Sequence, residues 1–184
     1  NPRTESPSAI INDIMVGVNE GKTPYVVIEN RAEAIAYAIK NAKKDDVIAA
    51  DARTLEWLKR CYQSHTNHNQ ALFPIIQGNF YKDLRLKSLE NALPYMKHGV
   101  AVGGLAIGEP FTVLKEQLEN LAPHLPEDVP HYLMGAGTPD YIFEGVENGI
   151  DMFDCVYQTR MARHGMAITD KGNINIRNQR YQND

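Results

Sequence analysis

The sequence predicts an α/β protein: a partial (β/α) barrel of TIM type, about four βα units, preceded by a short α/β segment. Three observations carry this. Short apolar runs alternate with amphipathic helical stretches along the chain. From residue 72 the strand starts recur roughly every 20–30 residues, the length of a βα unit. Glycine and proline punctuate each change of element. Four consecutive units fit half of a barrel or an open doubly wound sheet.

The elements follow in order. Ser6-Pro7 reads as an N-cap with proline at the first helical position. Ile10, Ile11, Ile14, Met15 and Val18 then recur at helical spacing, and Gly21 ends the turn. A buried-type strand is expected over 25–28 (YVVI). Asn30 and Glu33 form a capping-box pattern ahead of Ala32, Ile35, Ala36 and Ile39. After the polar turn KKDD, a second strand is expected over 47–50 (VIAA). Residues 54–64 read as an amphipathic helix, and 64–70 (SHTNHNQ) as a loop. His65 and His68 in that loop have no carboxylate or cysteine nearby in sequence to complete a zinc site. Strands are then expected over 72–77, 100–105, 132–134 and 150–156. Helices separate them over 80–92, after Pro110, and after Thr138-Pro139. From Gly165 the pattern changes to a hairpin around Asp170-Lys171-Gly172.

Composition bounds the function. The 184 residues carry a net charge of −4, which excludes a wholly basic nucleic-acid coat protein but not a local basic site. Two cysteines, Cys61 and Cys155, make neither a disulfide framework nor a CxxC pair, consistent with a cytoplasmic location. No apolar run is long enough for a bilayer span. The chain opens on Asn1, which reads as a fragment or a processed product.

In barrels and open α/β sheets, chemistry gathers at the carboxyl ends of the strands. The expected strands end in Gln77-Gly78, in Gly103-Gly104-Leu105, in Met134-Gly135-Ala136-Gly137 and in Asp154-Cys155. Gln77 offers an amide suited to a heterocycle edge. Gly103-Gly104 exposes backbone amides to a flat ligand, and Met134 can lie on a ring face. Asp154 is an acid on a strand that otherwise reads as buried, which is costly unless it is paired or functional, and it is a candidate nucleophile for an anomeric carbon. Taken singly, each has a plain reading: a surface amide, a turn, core packing, a structural ion pair. Cys155 is a rival nucleophile with no assignable histidine partner. Between residues 157 and 181 stand five basic residues (Arg160, Arg163, Lys171, Arg177, Arg180) and one acid, Asp170, a local charge of about +4. A basic stripe beside a carboxylate fits a polyanionic substrate opened at one sugar.

The strings ALFPIIQG (71–78), VGGLAIGEP (102–110), HYLMGAGTPD (131–140), GIDMFDCV (149–156), TRMARHG (159–165) and NIRNQRY (175–181) resemble the tRNA-guanine transglycosylases. The resemblance covers residues 51–184, roughly three quarters of the chain. It implies exchange of guanine at the tRNA wobble position for queuine or its precursor, through a covalent aspartyl-ribose intermediate. It implies Asp154 as nucleophile, and Gln77, Gly103, Gly104, Leu105 and Met134 around the purine or deazapurine base. Gly135, Ala136, Gly137, Thr138, Pro139, Asp140 and Tyr141 would form an RNA-binding loop. Thr159, Arg160, Met161, Ala162 and Arg163 would read the wobble region. The partners implied are tRNA and the base, with no membrane and a possible homodimer. The family's general-base aspartate and a second base-binding aspartate belong to a barrel half that is absent here. Its zinc ligands follow NIRNxRY, so no cofactor is expected in this chain. Tyr157-Gln158 and Asn79 depart from the family's usual Leu-Pro and Gly.

Residues 1–48 resemble instead the C-terminal domain of Mur ligases, with Asn1-Pro2-Arg3 left of a diamino-acid-binding motif. The expected division is therefore 1–50 and 51–184, as in a fusion. The alternatives are a fragment of a peptidoglycan-precursor ligase and an inactive chimeric fold with weak RNA binding.

Overall fold

The computed structural model describes residues 6–181 except 22 and 42. The chain divides into two compact units, Asn1–Lys43 and Lys44–Asp184. The Asn1-Pro2-Arg3 motif lies outside the described residues.

The first unit holds two helices, α1 (Pro7–Val18) and α2 (Arg31–Asn41). Ser6 caps α1 as its pattern requires: its hydroxyl accepts from Ala9 N at 3.2 Å, with Pro7 next in line. Asn30 caps α2, its side-chain oxygen accepting from Ala32 N and Glu33 N. The strand expected over 25–28 does not form. Among the described residues nothing pairs with this segment, and Tyr25, Val26 and Val27 are about half exposed. An apolar run makes a strand only where a ladder partner exists. The expected short α/β segment is, in its described residues 6–43, helical.

The second unit opens with α3 (Lys44–Ser64). This helix replaces the strand expected over 47–50. Asp45 and Asp46 favour a helix N-terminus, and the alanines that follow are strong helix formers. The apolar run VIAA does not itself distinguish helix from strand. Next come β1 (Ile75–Ile76), α4 (Lys82–Ala92), β2 (Val100–Val102), α5 (Phe111–Leu121), β3 (His131–Leu133), α6 (Pro139–Glu147) and β4 (Met152–Phe153). The four strands form one parallel sheet in the order β1-β2-β3-β4. Parallel neighbours in sequence order require a crossover helix each time, and α4, α5 and α6 supply them. The unit closes with α7 (Tyr157–Arg163) and the antiparallel hairpin β5 (Met166–Thr169) and β6 (Gly172–Asn175). The hairpin was legible in the sequence, but α7 was not.

The core lies between sheet and helices. Ile76, Val100, Val102 and Leu133 from the strands meet Leu89 of α4 and Leu114, Leu118 and Leu121 of α5. All are essentially inaccessible. At the N-terminal edge of the sheet, buried His131 ties two loops together. Its ring nitrogens lie 2.6 Å from Gly149 O and 2.8 Å from Pro126 O, and its backbone N–H donates to Asp151 Oδ2 at 2.8 Å. His131→Ala is expected to lower stability by about 2–3 kcal/mol, because it strands two part-buried carbonyls. Urea denaturation measures this.

Candidate active site

The paired strands are shorter than the apolar runs, and this sharpens the site. The last paired residues of the four strands are Ile76, Val102, Leu133 and Phe153. The next residues are Gln77, Gly103, Met134 and Asp154. Each candidate therefore stands first beyond its strand, on one edge of one sheet.

Asp154 is exposed and takes part in no ion pair among the described residues. It is held from the neighbouring strand. The Tyr132 hydroxyl, on β3, donates to Asp154 Oδ1 at 2.6 Å. Gly135 N, just past β3, donates to the same oxygen at 2.7 Å. Gly135 has φ 73°, a conformation glycine adopts without strain, and this turns its N–H toward the carboxylate. The Tyr132 hydroxyl and then the Gly135 N–H hold the Asp154 carboxyl below the usual carboxylate range. The same carboxylate pushes the Tyr132 hydroxyl up. Oδ2 carries neither bond. The group is therefore an ionised, oriented carboxylate with one oxygen left for attack. Tyr132→Phe is expected to raise the Asp154 pKa. The acid limb of any Asp154-dependent reaction would then move to higher pH, as a rate–pH profile reads directly.

Gln77 and Gly104 meet in a cavity of about 400 Å³, together with Gly78, Asn79 and Ile107. The opposite wall is the N-terminal half of α3, with Asp46, Asp51 and Thr54. Gln77 N donates to Ser88 Oγ at 3.0 Å, and that hydroxyl donates to Asp51 Oδ1 at 2.7 Å. Gly104 has φ 67°, a conformation that favours glycine; a Cβ there would lie 2.9 Å from Gln77 Oε1, and one on Gly103 would lie 2.6 Å from Ile75 Cδ1, so the tips of those side chains would have to shift. The loop beyond Gly104 is folded by Glu109, whose carboxylate accepts from Ala106 N at 2.5 Å, Ile107 N at 2.9 Å and Gly108 N at 3.1 Å. Beneath the cavity lies Arg85 of α4, fully buried, with hydrogen bonds to Gly103 O and Asn79 O.

Other sequence candidates are placed as follows. Leu105 is buried in the core, and Met134 is partly exposed at the end of β3. Neither lines the cavity of Gln77 and Gly104, and Asp154 stands outside it too. In the stretch 135–141, Ala136 and Gly137 are buried, Thr138 and Tyr141 are half-buried, and Pro139 and Asp140 are exposed at the start of α6. The Gln158 amide donates to Gly137 O. Cys155 lies against this turn, and a Cβ on Gly137 would collide with it. The stretch 159–163 lies in α7: Thr159, Arg160, Ala162 and Arg163 are exposed and Met161 is half-buried. Arg160 and Arg163 are three residues apart and so share a face. Neither is ion-paired among the described residues.

Sequence reasoning missed Tyr132, Arg85, Glu109 and the α3 wall. Glu109 lies in VGGLAIGEP (102–110), where its sequence neighbours give no sign of the three amides it binds. For Tyr132 the only signal was a tyrosine in mid-strand. Among the described residues no group of three His, Cys, Asp or Glu is placed to hold a metal. No described helix is long and apolar enough to cross a membrane.

Comparison with known proteins adds a further finding. Residues 33–184 match the sequence profile described as queuine tRNA-ribosyltransferase. A queuine tRNA-ribosyltransferase of Ruminiclostridium cellulolyticum is 47% identical over 144 residues, covering 78% of this chain and 39% of the relative. Those of Acetivibrio thermocellus and Natranaerobius thermophilus are 51% and 50% identical over 133 and 145 residues. They are covered over 36% and 39% of their length by 72% and 78% of this chain. The chain thus spans less than two fifths of the length of these curated relatives.

Proposed function

This chain belongs to the queuine tRNA-ribosyltransferase family, and from that premise we propose that it carries the nucleophilic part of a tRNA-guanine transglycosylase site. The observation that carries the reading is Asp154, ionised, in no ion pair among the described residues, and oriented through one oxygen by Tyr132 and Gly135. Asp154 Oδ2 attacks C1′ of the ribose that bears the wobble guanine. The C1′–N9 bond breaks and its electron pair leaves with the base, which takes up a proton. The tRNA stays bound as an aspartyl-ribose ester. A second base, queuine or its precursor, then attacks C1′ through its own ring nitrogen and loses the proton there. Asp154 departs as carboxylate, and every atom and charge is restored.

Gln77 and Gly104, which line one cavity, are the base readers in this scheme, with Gly103 giving the turn between β2 and Gly104. Residues 135–141 and 159–163 hold the RNA, with Arg160 and Arg163 on phosphates. The four strands in sequence order are read as part of a (β/α) barrel. Their outer edges, on β1 and β4, are unpaired among the described residues, which favours self-association of the chain. The site of action is cytoplasmic and no resident cofactor enters the scheme. For residues 1–48 we propose a likeness to the Mur ligase C-terminal domain, which predicts binding of a diamino acid, read by calorimetry.

The test is to incubate the chain with a tRNA that has guanine at the wobble position, then run a denaturing gel. A slowed band discharged by hydroxylamine is expected. Salt-dependent tRNA binding with no such band would favour the weak RNA-binding module instead.

A further inference from the structure

Arg85 heads the large side chains that are fully buried, yet it has no carboxylate partner within ion-pair distance among the described residues. A buried charge is costly unless its donors are satisfied. Here they are spent on two backbone carbonyls. Nη1 donates to Gly103 O at 3.0 Å. Nη2 and Nε donate to Asn79 O at 2.6 and 3.2 Å. Asn79 reaches this position through a left-handed backbone, φ 52°. One planar guanidinium thus ties together the loops that leave β1 and β2, which carry Gln77 and Gly104. Burial pushes the Arg85 pKa down to about 10, against the pull of Glu109 and Asp51. The group is still a cation at neutral pH.

The bond to Gly103 O has a second effect. The Gly103 carbonyl and the Gly104 N–H belong to one peptide unit. A charged donor on that oxygen draws density from the amide nitrogen and makes the N–H a stronger donor. On the reading above, the base that leaves C1′ gathers negative charge on its ring carbonyl as the bond breaks. A donor strengthened in advance favours that state over the neutral ground state. An apolar side chain of equal volume would fill the same space but could do neither.

We propose that Arg85 is a positioning residue of the base pocket, which sets the Gly103–Gly104 peptide plane and polarises the Gly104 N–H toward the departing purine. This rests on the transglycosylase reading for the identity of the ligand. The experiment compares wild type, Arg85→Met and Arg85→Lys, each checked for folding by thermal melting. Two quantities are read: the Gly104 amide proton shift in a ¹⁵N-correlated spectrum, and the affinity for guanine by titration. In Arg85→Met the Gly104 proton is expected upfield and guanine affinity about tenfold lower, the scale of one charge-assisted hydrogen bond. Arg85→Lys, which keeps the charge but lacks the fork, is expected to recover part of both. An unchanged Gly104 shift and affinity in folded Arg85→Met would overturn the proposal. If Arg85→Met does not fold, wild type decides through Arg85 guanidinium proton exchange: slow exchange is expected, and fast exchange overturns the proposal. A wild type that binds no guanine refutes the transglycosylase reading, while the Gly104 shift still tests Arg85 by itself.

Discussion

Asp154→Asn is expected to abolish the hydroxylamine-sensitive tRNA adduct, slowing its formation by at least ~10³-fold, the scale seen when a covalent nucleophile is removed. The substitution isolates charge from shape. Asparagine keeps the side-chain outline, and its oxygen still accepts from Tyr132 and Gly135. It brings no anion to C1′. Because Asp154 is exposed, stability at neutral pH is expected to change by less than about 1 kcal/mol. The small difference has a sign. The folded Asp154 pKa lies below its ordinary 3.8, so the wild type's advantage is fully present above that value. It fades as pH falls through the folded pKa. Denaturation curves of the two proteins are therefore separated at neutral pH and converge at acid pH, while adduct formation differs wherever Asp154 is ionised. Guanine exchange at the wild-type rate in Asp154→Ala would refute the covalent scheme.

The parallel βα alternation over 72–156 could be read because buried parallel strands appear as unbroken apolar runs between glycines and prolines. The same rule misleads where a run lacks a partner. Residues 25–28 join no ladder among the described residues, and 47–50 continue α3, because Asp45 and Asp46 set a helix start that an apolar count cannot see. Helix α7 was hidden for the opposite reason. It is short, has no side-chain N-cap bond, and its arginines drew attention to charge rather than period. Strand ends were legible as a set of four, so Gln77, Gly103, Met134 and Asp154 were placed on one edge. What completes the site is tertiary. Tyr132 reaches Asp154 from β3 to the end of its neighbour β4, and no spacing announces that. Arg85 belongs to the inward row of α4 with Ser88, Leu89 and Ala92, a helical stripe that is recognised only if an arginine is allowed inside it.

Gly78→Ala is the substitution expected to damage the fold most. Gly78 has φ 113°, where an L side chain is strained whatever surrounds it. A Cβ there would lie 2.6 Å from Arg85 N, 2.7 Å from Arg85 Cα and 2.9 Å from Leu84 C. All three are backbone atoms of α4, so no flexible side chain can yield. Either β1 and α4 move apart or the turn rebuilds. A loss of about 3 kcal/mol or more follows. Gly172→Ala is the control: φ is 97°, but nothing lies within 4 Å of the added carbon. Only backbone strain remains there, about 1–2 kcal/mol. Urea denaturation of the two variants separates steric from conformational cost, and equal losses would refute the close approach of α4 to β1. That approach also sets the pocket. Gly78 stands between Gln77 and the Asn79 carbonyl that Arg85 holds, so a displaced α4 carries the clamp away from both base-reading loops. Gly78→Ala should therefore lose guanine binding under conditions where most of the protein is still folded, whereas Gly172→Ala should keep it.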